Sequence, residues 1–212
     1  MKRILLVLST LLFGVAMQAQ TVKEIVLKAP DHTRGANVMK ALADRHSERE
    51  FAATDLSLQD LSDLLWAANG INRPADKKRT APSALNKQDI DIYVFKSEGV
   101  YLYDANRHAL KPVADGDHRQ AVAGGQDFVK TAPVCLVYVS DLGRFGTGVT
   151  EQTKLMGAMD AGIVSQNVNL FCAGVGLVTV PRASMDQAAL KKLLNLSDTQ
   201  VPMMNNPVGH AK

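Results

Sequence analysis

The sequence predicts a single α+β domain with a largely antiparallel sheet. Helical and strand-like segments are mixed without regular β-α-β alternation, which favours that class. Residues 89–95 and 99–104 alternate apolar and polar positions on either side of a short turn, as in an antiparallel hairpin. Residues 151–174 have helical character and are small or apolar on nearly every face after Leu155, which predicts a long helix buried on all sides. With 212 residues, the chain can form one domain with a substantial core.

Residues 1–20 have the features of a signal peptide. Lys2 and Arg3 precede a short apolar run, and a polar stretch follows with a cleavage point expected near Ala19 or Gln20. We therefore expect export, most simply to a periplasm, a mature domain spanning 21–212, and no stable membrane association after cleavage. The alternative is an uncleaved membrane anchor.

Composition excludes some classes of function. The formal net charge is +3, of which Lys2 and Arg3 supply two units, so the mature chain is nearly neutral and nothing indicates nucleic-acid binding. No CxxC, HExxH or HxH spacing is present, so no metal site is predicted, and the DGDH at 115–118 is expected to be a turn. Cys135 and Cys172 are predicted to be small buried side chains, with a disulfide left open.

The other elements follow from local patterns. A helix is predicted over 33–46 from the apolar spacing of Val38, Met39, Leu42 and Ala43. A second begins after a Ser57 cap and ends at Gly70. Residues 71–88 are predicted to be a loop, 118–132 a helix weakened by two glycines, 133–141 a buried strand, and 175–180 a strand. A capping box at 184–187 opens a helix over 185–195, and 199–212 is expected to be an extended tail.

Two polar segments are candidates for a site. Arg45, His46, Ser47 and Arg49 lie at the end of the first helix, and in an extended segment Arg45, Ser47 and Arg49 point to one side. Two guanidinium groups and a hydroxyl suit a phosphate, although this segment taken alone is explained more simply as a solvated helix end. In the loop before residue 89, Ser83, Asn86 and Gln88 offer donors and acceptors that could orient a heteroaromatic ring, or lie on an ordinary surface loop.

Taken together, the two segments resemble the nitroreductase family of FMN-dependent oxidoreductases. The family has an early Arg-x-Ser-x-Arg/Lys element and then Pro-Ser-Ser-x-Asn-x-Gln, which PSALNKQ at 82–88 matches except at Ala84. Residues 91–110 look like the strand-turn-strand of the branch related to SagB-type dehydrogenases. Residues 159–180, with Gln166 and Asn167, look like the family's central helix and the strand after it, and NPVGHAK at 206–212 looks like its C-terminal ending.

The resemblance implies a homodimer with one FMN at each of two sites between the subunits. It implies that Arg45, His46, Ser47 and Arg49 bind the phosphate and ribityl chain, with Lys212 helping to hold the phosphate. Pro82, Ser83 and Ala84 would reach the flavin of the partner subunit, and Asn86 and Gln88 match the family's polar pair. The backbone of Val178 and Thr179, with Val180, would lie near the reactive edge of the flavin, in a segment that departs from the commoner Gly-rich or acidic version.

The activity implied is hydride or electron transfer from a reduced donor, NAD(P)H in the family, to a small acceptor such as a nitro or quinone compound. The cofactor does the hard chemistry, so no catalytic side chain is predicted. Tyr101 and Tyr103 are expected to pack or hydrogen-bond in the hairpin. Nicotinamide cofactors are not normally supplied outside the cytoplasm. An exported flavin-binding protein, or a cofactor-free binding protein that keeps the fold, is therefore the alternative.

Overall fold

The computed structural model describes residues 21–212, so the predicted signal peptide lies outside it. The helices are α1 Val38–Asp44, α2 Leu58–Asn69, α3 Arg119–Ala123, α4 Glu151–Val175 and α5 Gln187–Leu193. The strands are β1 Ile25–Val26, β2 Ile71–Arg73, β3 Lys78–Arg79, β4 Ile90–Phe95, β5 Gly99–Asp104, β6 Ala109–Asp115, β7 Val134–Asp141, β8 Leu177–Thr179 and β9 Gln200–His210. Short 3-10 turns cover Pro74–Asp76, Ala84–Asn86, Asp127–Thr131 and Leu142–Phe145.

Seven strands form one sheet in the order β1-β6-β5-β4-β7-β9-β8. Every neighbouring pair in it is antiparallel. β2 and β3 form a separate two-stranded sheet. The α+β class with a mostly antiparallel sheet and a long helix, as predicted from the sequence, is confirmed.

The sheet carries an apolar core on each face, because side chains along its inner strands alternate between the two faces. In β4, Ile92 and Val94 pack with the leucines of α2 and the inner side of α4. Tyr93 and Phe95 point the other way and pack with α3 and α5. Cys172 lies in the first core and Cys135 in the second, and both thiols are free, so the structure has no disulfide between them.

Helix α4 is 25 residues long and runs beside α1, α2 and the strands β7, β8 and β9. Thr150 begins it with a capping box, and Gly176 ends it in the left-handed conformation at φ 79°. The expectation that α4 is buried on all sides is wrong for a single chain, since Leu155 and Met159 are 55% and 59% exposed. No helix within residues 21–212 is both long and apolar enough to cross a membrane.

The structure also corrects four local predictions. The supposed loop over 71–88 contains the β2-β3 hairpin, and the supposed C-terminal tail is β9, which lies inside the sheet between β7 and β8. β6 was not predicted, because Lys111 and Pro112 interrupt its alternation. Asp186 rather than Ser184 caps α5, its side chain accepting the N–H of Ala189 at 2.9 Å.

Candidate functional site

The early basic segment lies where α1, β8 and the C-terminus meet. Residues 45–50 follow α1 without regular secondary structure, and the N–H of Glu48 donates to the Thr179 carbonyl at 3.0 Å. Phe51 forms an isolated antiparallel bridge with Ala211, and the Ala52 N–H donates to the His210 carbonyl at 2.9 Å. The fold therefore brings four predicted parts to one edge: the Arg45–Arg49 segment, Val178, Thr179 and the terminal Lys212.

This edge has unpaired positive charge. Arg45, Arg49 and Lys212 make no salt bridge within residues 21–212. The Ser47 side chain is exposed, and the His46 Nδ1 contacts the Asp44 carbonyl at 2.7 Å. Among the acids of this segment, Asp44 pairs with Lys40, and Glu48 has a lowered pKa because its carboxylate accepts the backbone N–H groups of Arg49 and Glu50. The segment can therefore offer two guanidinium groups, a hydroxyl and an ammonium to an anion.

Strand β8 is the last strand of the sheet, so one side of its backbone faces away from β9. The Thr179 hydroxyl is not available to a ligand as a free group, because it donates to the Pro207 carbonyl at 2.7 Å and accepts from Asn206 at 3.0 Å. Asn206 also binds Tyr138, Ser165 and Asn169, so a buried polar network fixes the position of β8 against α4. Any contact from Val178 or Thr179 to a ligand would therefore come from the backbone.

The second polar segment is a strained and exposed loop, which we call the 82–88 loop. Leu85, Asn86 and Gln88 have φ of 53°, 52° and 49°, the left-handed region that residues other than glycine seldom adopt. Leu85 is 73% exposed, and Pro82 and Asn86 are also exposed. A cluster of left-handed residues persists only where the surroundings hold it, and such clusters are frequent at ligand-binding sites.

Hydrogen bonds inside the chain hold this loop from both ends. The Ser83 Oγ accepts the Gln88 N–H at 2.8 Å, which leaves the Ser83 hydroxyl hydrogen free to donate. The Gln88 amide is already used, since its Oε1 accepts from Arg79 Nε and its Nε2 donates to the Lys77 carbonyl, both at 3.0 Å. Arg144 donates to the Gln88 carbonyl at 2.6 Å. Gln88 therefore supports the conformation of the loop, whereas Leu85 and Asn86 are exposed at its surface.

Two buried carboxyl groups lie beneath the loop. Asp160 of α4 is 3% exposed, and its two oxygens accept the Ala84 N–H at 3.0 and 2.8 Å. Asp89 is fully buried beside Asp160 and accepts a hydrogen bond from the Ser140 hydroxyl with Oδ2, whereas its Oδ1 has no donor within residues 21–212. Burial and the neighbouring Asp160 raise the pKa of Asp89 to about 7.

The two candidate segments lie at opposite ends of the sheet. The loop leads into Ile90, which pairs with Ser140, which in turn pairs with Val201 near the start of β9. Thr179 pairs with Val208, seven residues further along β9, or about 23 Å at 3.3 Å per residue. The two segments therefore do not meet within one chain.

Several exposed apolar side chains lie on α1, on α4 and in the 82–88 loop. Val38, Met39 and Leu42 of α1 are 62%, 71% and 48% exposed, so the predicted apolar face of this helix is exposed and only Ala41 is buried. Leu155, Met159 and the open position at Gly162 share one face of α4. With Leu85, these residues form what we call the α1-α4 surface.

Sequence reasoning missed the residues that support the loop. Asp160 is the only acid in the long apolar stretch of α4, and that isolation was the available signal. Asp89, Arg79 and Arg144 gave no such signal, because their partners are distant in sequence. No group of three or more potential metal ligands occurs within residues 21–212.

The chain matches the family model described as "Nitroreductase family" over residues 42–210. A nitroreductase-family protein of Methanocaldococcus jannaschii is 30% identical over 177 residues, which cover 79% of this chain and 88% of that protein. The FMN reductase [NAD(P)H] of Bacillus subtilis is 25% identical over 187 residues, covering 82% of this chain and 65% of that longer protein.

Among solved structures, a nitroreductase-family protein of Ralstonia eutropha superposes with a TM-score of 0.84 at 36% identity. The superposition covers 91% of this chain and 93% of the Ralstonia protein, so the two folds correspond over nearly their whole length. The family model and these similarities agree with the fold. The chain belongs to the nitroreductase family.

Proposed function

We propose that this protein is an FMN-dependent oxidoreductase that works as a homodimer and transfers a hydride or electrons from a reduced donor to a small acceptor. The observation that carries the proposal is the separation of the two polar segments within one chain. Unpaired cations lie at one end of the sheet, and a strained, outward-facing polar loop lies about 23 Å away at the other end. Two chains related by a twofold axis can place the first end of one chain against the second end of its partner.

The residues present fit an FMN. Arg45, Arg49 and Lys212 would neutralise the phosphate, and Ser47 would donate a hydroxyl to the phosphate or ribityl chain. Ser83 and Asn86 of the partner would hydrogen-bond the ring system. The outer side of β8, where the Thr179 carbonyl already accepts the Glu48 N–H, would offer its remaining backbone groups to the ring. When bound, FMN supplies the hydride acceptor and donor at one ring position.

The chain's own task is to bind, orient and shield the cofactor. The buried network around Asn206 fixes β8, and the Asp160 contact fixes the partner's loop, so neither polar edge has to reorganise when a substrate arrives. Hydride transfer to a nitro or quinone group needs no protein nucleophile. Tyr103 contacts His108 at 2.9 Å, and its pKa is raised by burial, so it is unsuited to act as a base near neutral pH.

The proposal also includes the electron donor, the compartment and the branch of the family. The similarity to the Bacillus subtilis FMN reductase supports NAD(P)H as a donor. Residues 1–20 support export, in which case another reductant would have to supply the electrons in the periplasm. The resemblance of residues 91–110 to the SagB-type dehydrogenases supports placing the protein near that branch of the family. We propose a small-molecule acceptor in either case.

The first experiment is a visible absorption spectrum of purified residues 21–212, before and after NADH or NADPH is added under argon. We expect a yellow protein with FMN absorption bands that bleach when a competent donor is added. Bands that resist bleaching would keep the cofactor and exclude both nicotinamides as donors. A colourless protein that takes up no added FMN would contradict the proposal and favour the cofactor-free binding protein.

A further inference from the structure

We propose that Asp160 is the positioning residue of the 82–88 loop, and that a single proton shared between Asp160 and Asp89 holds the loop in its flavin-binding form. The inference rests on the proposed function for its effect on FMN, but its structural part concerns this chain alone. Its starting point in the structure is the incomplete hydrogen bonding of the buried carboxyl pair.

The Asp89 carboxyl is fully buried and has a donor for only one of its two oxygens. Ser140 donates to Oδ2, whereas Oδ1 has no partner among the residues that the structure describes. Its neighbour Asp160 is also a carboxyl, and both oxygens of Asp160 already accept the Ala84 N–H. A buried oxygen without a donor is costly, and two adjacent carboxylates repel each other. A proton on Asp89 removes both problems, because Asp89 then donates to Asp160.

Close packing forces the two carboxyls together. A Cβ at Gly157 would clash with the Ser140 side chain, so glycine lets α4 lie directly against the end of β7. Asp160 follows three residues later on the same helix, and Asp89 is the residue before β4, which pairs with β7 through Ile90 and Ser140. The pair therefore follows from how α4 meets the sheet.

The charged groups that face Asp89 come from two elements. Asp160 faces it from α4, and Arg144 faces it from the 3-10 turn after β7, where its guanidinium also binds Asp91, Asp141 and the Gln88 carbonyl. Arg144 is thus already shared among other acceptors and does not replace the proton. The position of the Asp89 pKa, at about 7, is consistent with a proton that is present below neutral pH and lost above it.

The shared proton should make FMN binding weaker as the pH rises. Below pH 7 the singly protonated pair keeps Asp160 on the Ala84 N–H, so Pro82, Ser83 and Ala84 hold their positions. As the pH rises above 7, Asp89 loses its proton and the two carboxylates repel each other, which loosens the Ala84 end of the loop. Arg144 still holds the Gln88 end. FMN binding should then weaken, by at most about tenfold per pH unit for one linked proton.

The test uses two measurements on residues 21–212 between pH 6.5 and 8.5. The first follows the backbone amide of Ala84 by NMR without added FMN, and the second measures the Kd of FMN. The principal variant is Asp89→Asn, whose amide can donate to Asp160 at every pH. Asp160→Asn changes the other carboxyl of the pair. The control is Asp63→Asn, because Asp63 is a buried carboxyl that binds Arg34 in another region.

We expect the Ala84 amide of the wild type to titrate with a midpoint near 7, and the FMN Kd to rise at least about threefold over the range. In Asp89→Asn both changes should disappear, whereas Asp63→Asn should behave like the wild type. FMN's own phosphate ionises near pH 6 and affects all variants alike, so the ratio of wild type to Asp89→Asn isolates the pair.

An Ala84 amide that stays constant in the wild type, or that titrates equally in Asp89→Asn, would overturn the shared proton. If Ala84 titrates as expected but no variant binds FMN at any pH, the proposed function fails and the role of Asp160 in holding the loop stands. If FMN binds with the same pH dependence in the wild type and Asp89→Asn, the function stands and this inference fails.

Discussion

At the scale of single residues, most of the polar side chains beneath the proposed site have a complete set of partners. Arg182 is 7% exposed and has no carboxylate partner in the part of the chain that the structure describes. Its guanidinium donates instead to the carbonyls of Val122 and Ala123 and to the side chains of Gln126 and Asn205. These neutral oxygens accept hydrogen bonds from every nitrogen of the guanidinium, and Arg182 thereby holds the end of α3 against β9. Asp89 is the exception, and it makes folding depend on pH.

The free energy of unfolding should fall between about pH 4 and about pH 7 because of Asp89. Its pKa is about 7 in the folded chain and about 3.9 in an unfolded one, so the folded state binds one more proton in that window. The stabilisation is complete below pH 4, is lost as the pH rises through 7, and changes no further above it. The slope for one full proton is about 1.4 kcal/mol per pH unit.

Urea denaturation at pH 5 and pH 8 checks this, with Asp89→Asn as the comparison. His108, whose pKa is lowered by burial, gives a pH dependence of the opposite sign, but it is common to both proteins. The difference between wild type and Asp89→Asn should therefore shift in favour of Asp89→Asn from pH 5 to pH 8. A difference that does not change with pH would show that Asp89 is ionised throughout.

At the scale of elements, the contact between α4 and β7 depends on one glycine. Gly157→Ala should destabilise the fold by about 1–3 kcal/mol, because the added methyl group meets Ser140 and Leu142 in a packed core. Gly174→Ala in the same helix is the matched control, since its Cβ would meet only ordinary contacts at 3.7 Å and beyond. Thermal unfolding of both variants measures the effect. Equal stability of the two would mean that α4 can move away from β7 at little cost.

The elements also show what sequence can and cannot predict. α2 follows its prediction from the Ser57 cap to Gly70, because its signals lie within one segment. β9 was missed because Pro202 and Pro207 argue locally against an inner strand. It is accommodated by an irregularity opposite Tyr138 and Val139 and by partners on both sides.

The same distinction applies to the site. The short motifs around Ser47 and Ser83 predict two binding segments from local sequence alone, and the role of these segments stays a prediction. The support from Asp160, more than 70 residues from the loop, is a product of tertiary packing. The exposed side of α1 was likewise invisible, because an apolar stripe has the same sequence pattern whether it faces a core or another chain.

At the scale of the whole molecule, the α1-α4 surface is the part that a partner chain should cover. Met159→Glu would place a charge in that interface and should weaken the dimer by more than about 2 kcal/mol, or roughly thirtyfold in Kd. Val26→Glu, at a residue that is 68% exposed on β1 at the other edge of the sheet, is the control. Sedimentation velocity should show a monomer for the first and a dimer for the second. A dimer that tolerates Met159→Glu would place the interface elsewhere.

The central claim is that each flavin site takes one polar segment from each chain, and complementation between two defective chains tests it most directly. Arg45→Ala with Arg49→Ala removes the phosphate end, and Asn86→Glu places a carboxylate on the loop end. Each variant alone should purify without FMN. When the two are co-expressed with different tags, a mixed dimer has one site with both ends intact and one with neither.

The measurement is the FMN content of the mixed dimer isolated through both tags. The account predicts one FMN for each mixed dimer, and none in either parent dimer. A mixed dimer that contains no FMN, although wild-type protein binds it, would show that both ends of a site come from the same chain and would contradict the account.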